Sequence, residues 1–241
     1  ERLDPVEPTR YPSLEQWNDQ KGKLAAQTIP ISIDGGSFYG FLRDWVGVEN
    51  LSVMFYDDPN LVGDIMEYLG EFYIKVLSKA LREVRVDFAM FWEDMCYKTG
   101  PLISPAMFKE FLLPNYKKVT SFLRSNGVEL SWVDCDGNIE ELIPFWIEGG
   151  VRGFYPLEVA AGMDANKLRK EYGQEIVMWG NVDKRALAGG TITIDAELAR
   201  VEPAVKTGGF IPLVDHGVPD DVSLSNYLYY LEKRKRLSQE I

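Results

Sequence analysis

Six short apolar runs, each followed by a longer stretch of helical period, constrain the fold of this chain more than any other feature. The runs are rich in β-branched and aromatic residues and lack strict polar/apolar alternation, which is typical of strands buried on both faces of a parallel sheet. They are Ile29–Ile33, Val86–Trp92, Val128–Val133, Val151–Tyr155, Ile176–Trp179 and Phe210–Val214. This succession of strand and helix predicts an α/β fold built from βαβ units.

The segments between the runs carry the start and stop signals of helices. Apolar residues recur at helical spacing between Asp58 and Val84. Ser104-Pro105 is an N-cap followed by proline at the first helical position, and Pro114 is expected to bend or break the helix that follows. A further short helix is predicted to open at Asp164 and to close at Gly173.

A polar residue follows every one of the apolar runs. These residues are Asp34, Glu93, Asp134 with Asp136, Glu158, Asn181 with Asp183, and Asp215 with His216. An open doubly wound sheet needs such residues at one switch point only, whereas all strand ends of a barrel converge on one mouth. The pattern therefore predicts a (β/α)8 barrel with about six of its eight βα units present, which means either an N-terminally shortened chain or an irregular barrel. The barrel domain is expected over residues 29–241, after an irregular or helical segment at 1–28.

Charge and composition argue against two classes of partner. The net charge of −11 argues against a nucleic-acid partner, because phosphate neutralisation needs clustered lysine and arginine. No window approaches the run of about 18 apolar residues that a membrane helix needs, and no secretory signal opens the chain. The two cysteines, Cys96 and Cys135, form no metal or disulfide pattern, so we expect a reducing, cytoplasmic setting.

An incomplete barrel exposes strand edges and apolar surface, so we also expect pairing with a second copy or another partner.

Two carboxylates at i and i+2, Asp134 and Asp136, follow the third run. Both can face the barrel mouth only where the chain leaves extended geometry, and Gly137 and Asn138 supply that turn. The two carboxylates repel each other unless a cation, a proton or an arginine compensates them. The alternative is that Asp136 merely caps a helix beginning at Ile139.

The only histidine of the chain, His216, follows the last run, after Asp215 and before Gly217. Asp215 could orient its ring, or both residues could bind the same group. Together with Glu93 and Glu158, these residues make a site of carboxylates and one imidazole with no thiolate, which suits Zn²⁺ or another borderline-to-hard divalent ion. The competing interpretation is a metal-free proton-transfer site whose carboxylates stabilise a cationic substrate.

These motifs resemble those of the uroporphyrinogen decarboxylase superfamily, which includes the decarboxylase itself and methyltransferases that serve corrinoid proteins or coenzyme M. The resemblance extends over the whole chain and implies a (β/α)8 barrel, with part of the usual N-terminal length absent before residue 1. The matching stretches are Ile29–Ile31 with Gly35-Gly36, Ser104–Phe111 with Leu113-Pro114, Asp136–Ile139, Gly180–Lys184 and the His216 loop.

The methyltransferase branch has a zinc motif His-x-Cys-Gly-Asn and a further cysteine on the last strand loop. When the motif is aligned on Gly137-Asn138, the resemblance implies a divalent-metal site, with zinc as the expected ion, formed by Asp134, Asp136, Glu158 and His216. Each soft ligand is replaced by a harder one that can still coordinate a metal. We expect Glu93, Asp183 and Asp215 to be catalytic neighbours of this site.

The departure from thiolate ligands argues against activation of a thiol and favours Lewis-acid activation of an oxygen- or nitrogen-bound methyl group. The resemblance thus implies a methyltransferase-like enzyme that moves a methyl group from a small O- or N-methyl donor to Co(I) of a separate corrinoid protein. A tetrapyrrole decarboxylase is the alternative, although an acidic mouth is a poor receptor for a polycarboxylate substrate. A non-catalytic barrel that binds a partner is the second alternative.

Overall fold

The computed structural model describes residues 3–239. The strands of this part of the chain are β1 Ser32–Gly36, β2 Phe88–Trp92, β3 Cys96–Tyr97, β4 Gly100–Pro101, β5 Leu130–Asp134, β6 Gly153–Tyr155, β7 Val177–Val182 and β8 Phe210–Val214. Its α-helices are α1 Leu14–Ala25, α2 Gly40–Val46, α3 Val48–Asp57, α4 Pro59–Glu83, α5 Pro105–Met107, α6 Leu113–Ser125, α7 Ile143–Glu148, α8 Ala165–Tyr172, α9 Lys184–Ala188, α10 Thr191–Lys206 and α11 Leu224–Leu237. None of these helices is long and apolar enough to cross a membrane.

The predicted succession of strands and helices is confirmed. Each of the six apolar runs overlaps one of the longer strands, β1, β2 and β5 to β8. The antiparallel pair of β3 and β4 was not predicted, because strands of two residues carry no readable periodicity. Helix α1 lies within the segment 1–28, where irregular or helical structure was expected.

The chain divides into two compact units. The first unit contains residues up to 93, 103–133 and 142–151, and the second contains 94–102, 134–141 and the chain from 152 onward. The predicted domain boundary at residue 28 stays a prediction.

The first unit has the strand order β1-β2-β5. Strands β1 and β2 are parallel, with Ser32 opposite Phe88, and a register shift between Asp34 and Gly36 ends their pairing. Its core is aromatic: the rings of Phe38 and Tyr116 lie 5.0 Å apart, and helix α4 turns its apolar face inward. The largest fully buried side chains of this unit include Trp146, Tyr39, Tyr116, Phe38, Phe91 and Phe108.

The second unit has the strand order β6-β7-β8, and all of these pairs are parallel. Phe154, Met178 and Phe210 lie opposite one another on the three strands and are buried, and helix α10 contacts both β7 and β8. In each unit the strands follow one another in chain order, as they do in a barrel, with none of the order reversal of a doubly wound sheet. The predicted α/β barrel class, with six of its βα units in the described part of the chain, is confirmed.

The helix ends follow the sequence signals with one exception. Ser104 accepts a hydrogen bond from the N–H of Met107, Asp164 caps α8, and Gly173 ends it. Pro114 does not break the helical path, which continues from α5 through Phe108–Leu112 into α6 with Pro114 near the start of α6. The irregularity is instead a wider π-helical turn at Phe108–Leu112, directly before α6.

Candidate metal centre

The loop that follows β5 is held in place by backbone hydrogen bonds within the second unit. The N–H of Cys135 donates to the carbonyl of Tyr155 at 2.9 Å, and the N–H of Asn138 donates to the carbonyl of Tyr97 at 2.9 Å. Gly137 has a φ of +83°, and a Cβ at this position would lie 2.6 Å from the carbonyl oxygen of Cys96. The turn therefore requires glycine, and it lets the side chains on either side of Cys135 approach one another.

Three of the four predicted metal ligands come together at this loop. One donor atom from each of Asp136, Glu158 and His216 lies within 4.8 Å of the other two. Nε2 of His216 is 3.1 Å from Oδ2 of Asp136, and the N–H of Gly137 donates to Oε2 of Glu158 at 2.9 Å. Asp136 and Glu158 are partly buried and His216 is exposed, so the group is accessible from solvent.

The fourth predicted ligand, Asp134, belongs to a second group of donors that shares Asp136. Oxygens of Asp94, Asp134 and Asp136 also lie within 4.8 Å of one another. Asp94 was not among the predicted site residues, although it follows β2 closely and Asp134 is the last residue of β5. Its φ of +41° is rare for a residue other than glycine, and its Oδ1 accepts the N–H of Asp136 at 3.2 Å.

The two donor groups bring several carboxylates close together. Burial raises the pKa of Asp134 to about 7, with further contributions from the carboxylates of Asp94 and Asp136. Burial also raises the pKa of Asp136, and the neighbouring carboxylates of Asp94 and Glu158 add to the effect. Crowding of this kind favours either protons or a bound cation. Oxygen atoms from two carboxylates and one imidazole nitrogen form a donor set that fits zinc or a harder divalent ion.

The two cysteines are not part of either donor group. Both are buried and free, and Sγ of Cys135 accepts the N–H of Met95 at 3.3 Å. Burial, together with contact with Cys96, raises the pKa of the Cys135 thiol and disfavours a thiolate. Among the described residues, the site therefore offers oxygen and nitrogen donors and no thiolate.

The ammonium group of Lys184 contacts the site, and this contact was not predicted from the sequence. Nζ of Lys184 lies 3.4 Å from Oε1 of Glu158, and both side chains are mostly buried. The sequence signal is the position of Lys184 directly after Asp183, where β7 gives way to α9.

The predicted catalytic residue Asp215 is fully buried and bonded to backbone. Its Oδ2 accepts the N–H of Val159 at 2.8 Å, and its Oδ1 accepts the N–H of Lys184 at 3.0 Å. Asp215 thereby connects the two segments that carry Glu158 and Lys184, while Nε2 of His216 contacts Asp136. These contacts support a positioning role for Asp215, and its catalytic role stays a prediction.

Asp183, also predicted to be catalytic, is the N-cap of α9. Its Oδ1 accepts the N–H of Arg185 at 2.9 Å, and its Oδ2 lies 2.6 Å from the guanidinium of Arg185. This ion pair holds the pKa of Asp183 below its ordinary value. Its contacts are those of a capping residue, and its catalytic role also stays a prediction.

Glu93, the third predicted catalytic residue, lies in the first unit and is 0% exposed. Its carboxylate accepts five hydrogen bonds, from the hydroxyls of Ser37 and Tyr116 and from the N–H groups of Phe38, Tyr39 and Gly40. Burial raises its pKa, although these bonds oppose the shift. Glu93 therefore accepts hydrogen bonds from the N–H groups at the start of α2 and stabilises this helix end. These contacts do not support the catalytic role, which stays a prediction.

The segment that carries Glu158 is fastened by Asn181, which is fully buried and has a φ of +54°. Its Nδ2 donates to the carbonyls of Leu157 and Met163, at 2.8 and 2.9 Å. Its Oδ1 accepts the N–H of Ala165 at 3.0 Å. A Cβ on the preceding Gly180 would lie 1.8 Å from the carbonyl oxygen of Pro156, so this close approach requires glycine.

Comparison with known proteins identifies the family of the chain. Residues 43–237 match the family model described as uroporphyrinogen decarboxylase (URO-D). The chain is 25% identical, over 203 residues, to a protein of Geobacter sulfurreducens named uroporphyrinogen decarboxylase, a match that covers 82% of the chain and 55% of that protein.

A solved structure described as a methyltransferase from Methanosarcina mazei superposes with a TM-score of 0.64 at 19% identity, covering 89% of this chain and 60% of that one. This likeness shows a shared fold. The chain thus spans little more than half the length of the relatives it matches. Because the family model matches most of the chain, the chain belongs to the uroporphyrinogen decarboxylase family.

Proposed function

We propose that this chain is part of a metal-assisted methyltransferase-like enzyme, which moves a methyl group from a small O- or N-methyl donor to a corrinoid protein. The observation that carries the proposal is the convergence of Asp136, Glu158 and His216, with one donor atom from each within 4.8 Å of the others. The corrinoid acceptor rests on the family resemblance alone.

Asp136, Glu158 and His216 would hold the divalent ion, with zinc as the expected metal. When bound there, the ion supplies Lewis-acid polarisation of the oxygen or nitrogen atom that carries the methyl group. Asp134, the fourth predicted ligand, lies in the donor group that shares Asp136 and would add further negative charge beside the ion. Lys184 neutralises part of the charge of Glu158 and keeps that carboxylate oriented.

Metal analysis tests this proposal directly. The wild-type chain, purified without added metal, is expected to carry one divalent ion per molecule, and an Asp136→Ala/His216→Ala double variant is expected to carry none. Asp44→Ala, which removes an exposed acid of α2, is the control and should retain the metal. Equal metal content in the wild type and the double variant would overturn the proposed site. Methylation of free Co(I) cobalamin by O- and N-methyl compounds, with and without metal, then tests the reaction.

Tetrapyrrole decarboxylation is the second candidate, because the family model and the relative from Geobacter sulfurreducens carry that name. Its substrate bears many carboxylates, which the acidic donor groups would repel. We expect no release of CO2 from uroporphyrinogen. Release that survives in the double variant would favour the decarboxylase, and the absence of metal binding and of both activities would favour a non-catalytic barrel.

A further inference from the structure

The hydroxyl of Tyr155 is a polar group of the second unit that the proposed metal site does not use. Tyr155 is the last residue of β6 and is partly exposed, whereas the preceding Phe154 is 0% exposed. Because side chains alternate along a strand, Tyr155 lies on the face opposite the hydrophobic core. Among the residues that the structure describes, none forms a hydrogen bond with the Tyr155 hydroxyl.

The strand register puts Tyr155 beside Asp134, a member of the second donor group. The N–H of Cys135 donates to the carbonyl of Tyr155 at 2.9 Å. In a parallel pair, the donor of such a bond lies one residue beyond the residue opposite the acceptor, as it does between β7 and β8. Asp134 therefore lies opposite Tyr155, about 5 Å away, with its side chain on the same face.

Trp179 lies on the other side of Tyr155. The pairing of Phe154 with Met178 puts Trp179 opposite Tyr155, and the two rings are 5.3 Å apart and inclined by 53°. The indole packs against the phenol ring and restricts its movement. The phenol is thus held between a carboxylate on one neighbouring strand and an aromatic ring on the other.

The surroundings keep this hydroxyl protonated. Burial raises the pKa of Tyr155, and the negative charges of Asp134, Asp136 and Asp215 add to that effect. Asp136 belongs to both donor groups, so the phenol lies close to the proposed metal site. A protonated hydroxyl with no partner among the described residues can donate a hydrogen bond to a molecule bound at that site.

We propose that Tyr155 is a catalytic residue of the methyl transfer, and that its hydroxyl donates a hydrogen bond to the oxygen atom that carries the methyl group. The inference rests on the proposed function and narrows its donor class from O- or N-methyl compounds to O-methyl compounds. An ether or alcohol oxygen has two lone pairs, one for the metal and one for the hydroxyl. A neutral amine nitrogen has one lone pair, so metal and hydroxyl would compete for it.

The hydrogen bond gains strength as the methyl group leaves. The lone pair of Co(I) forms the new carbon–cobalt bond, and cobalt passes formally to Co(III). The electron pair of the broken carbon–oxygen bond stays on oxygen, where negative charge therefore grows. Tyr155 stabilises that charge and keeps its own proton in this step, so its contribution is larger in the transition state than in the bound donor.

Two probes of the same shape test the inference without any methyl transfer. Fluorine NMR titration at pH 8 would compare 2,2,2-trifluoroethanol with 2,2,2-trifluoroethylamine, both uncharged at that pH and both at millimolar concentration. In the metal-bearing chain, Tyr155→Phe is expected to weaken trifluoroethanol binding about 3–10-fold and to change trifluoroethylamine binding by less than about twofold. Equal effects on the two probes, or no effect on the alcohol, would overturn the inference.

A control variant and a stability measurement separate a hydrogen-bond donor from a structural residue. Tyr56→Phe, which removes the hydroxyl of a 74% exposed tyrosine of the first unit, should leave the binding of both probes unchanged. Tyr155→Phe keeps the ring and should unfold at the same urea concentration as wild type, because the hydroxyl has no partner among the described residues. A large loss of stability would make the hydroxyl part of the fold and contradict the assignment.

The wild-type chain offers a spectroscopic test that needs no variant for binding. With tyrosine labelled by carbon-13 at Cζ, the signal of Tyr155 is identified by its absence from Tyr155→Phe. This signal should shift when trifluoroethanol is added, because hydrogen bonding changes the electron density of the phenol, and should shift less with trifluoroethylamine. No shift with the alcohol at saturation would overturn the inference.

The two proposals can fail separately. A chain that carries one metal ion but binds trifluoroethanol equally with and without the Tyr155 hydroxyl would overturn this inference and leave the metal-assisted mechanism standing. A chain without metal whose trifluoroethanol binding still depends on Tyr155 would overturn that mechanism and keep Tyr155 as a donor to oxygen.

Discussion

Glu93 in the first unit and Asp136 in the second are both acids that follow a strand, yet their surroundings are opposite. Glu93 is fully buried, and five donors satisfy its carboxylate. Asp136 is partly exposed and shares its surroundings with Asp94, Asp134 and Glu158. The first carboxylate has donors enough to be part of the fold, whereas the second is one of several carboxylates whose oxygens lie close together, with His216 beside Asp136 and Lys184 beside Glu158.

This difference shows that a strand-end acid is not by itself a sign of function. The number of N–H and O–H groups around a carboxylate decides whether its charge is already compensated. A carboxylate with many donors stabilises the fold, and a group of carboxylates with few donors favours a proton or a metal. The predictions below test this distinction, from the largest expected effect to the smallest.

Replacing Glu93 should have the largest effect on stability. Glu93→Ala leaves several buried donors unpaired and is expected to lower the free energy of unfolding by about 3–5 kcal/mol. Asp136→Ala, measured by urea denaturation of the metal-free protein under the same conditions, is expected to change it by less than about 0.5 kcal/mol or to raise it, because repulsion is relieved. Similar losses in both variants would mean that donor number does not separate the two acids.

Asp215 tests whether the distinction holds inside the second unit. Asp215→Asn keeps the shape of the side chain but has only one accepting oxygen, so one of the bonds from Val159 and Lys184 is lost. We expect the free energy of unfolding to fall by about 1–3 kcal/mol. Metal content should stay near one ion per chain, because Asp215 supplies no ligand. A variant as stable as wild type that has lost its metal would make Asp215 a ligand instead of a positioning residue.

Asp134 should give stability a pH dependence of the unusual sign. Its pKa is about 7 in the folded protein against an ordinary value of 3.8, so at intermediate pH the folded chain keeps a proton that the unfolded chain has released. The free energy of unfolding of the metal-free protein should therefore fall as the pH rises from about 4 to about 7. Asp134→Asn should reduce this slope and raise stability at pH 8 by about 1 kcal/mol, after allowance for solvent screening.

Asp183 is the opposite case, because Arg185 lowers its pKa whereas the pKa of Asp134 is raised. Its contribution to stability is present above its ordinary pKa and is lost as the pH falls below it. Urea denaturation at pH 5 and pH 8 should therefore show the effect of Asp134→Asn mainly at the higher pH. An equal effect at both values would contradict the raised pKa of Asp134.

Much of the fold could be predicted from the sequence because its strands are apolar runs bounded by polar residues. The same pattern predicted that Asp136, Glu158 and His216 lie close together, because the C-terminal ends of parallel strands lie on the same side of the sheet. It could not separate Glu93 from Asp94. The two residues are adjacent, but Glu93 binds the N–H groups at the start of α2, whereas Asp94 belongs to a donor group. Asp94 has a positive φ, a backbone feature that no sequence periodicity indicates.

Two other features depend on pairing and not on pattern. The contact of Tyr155 with Trp179 follows from the register of β6 and β7, which is set by hydrogen bonds between distant segments. Lys184 reaches Glu158 because Asp215 connects their two segments. Sequence patterns indicate which residues are buried, but they do not show which strand-end side chains become neighbours.

Asp136 belongs to both donor groups, so the two cannot be occupied independently. A metal ion held by Asp136, Glu158 and His216 withdraws negative charge from the group that contains Asp94 and Asp134. The bound metal therefore weakens the binding of any cation near that second group. By thermodynamic linkage, the cation weakens the binding of the metal by the same factor. One shared carboxylate would thus make two cations, one at each donor group, mutual antagonists at equilibrium, and the affinity for a first divalent ion should exceed the affinity for a second.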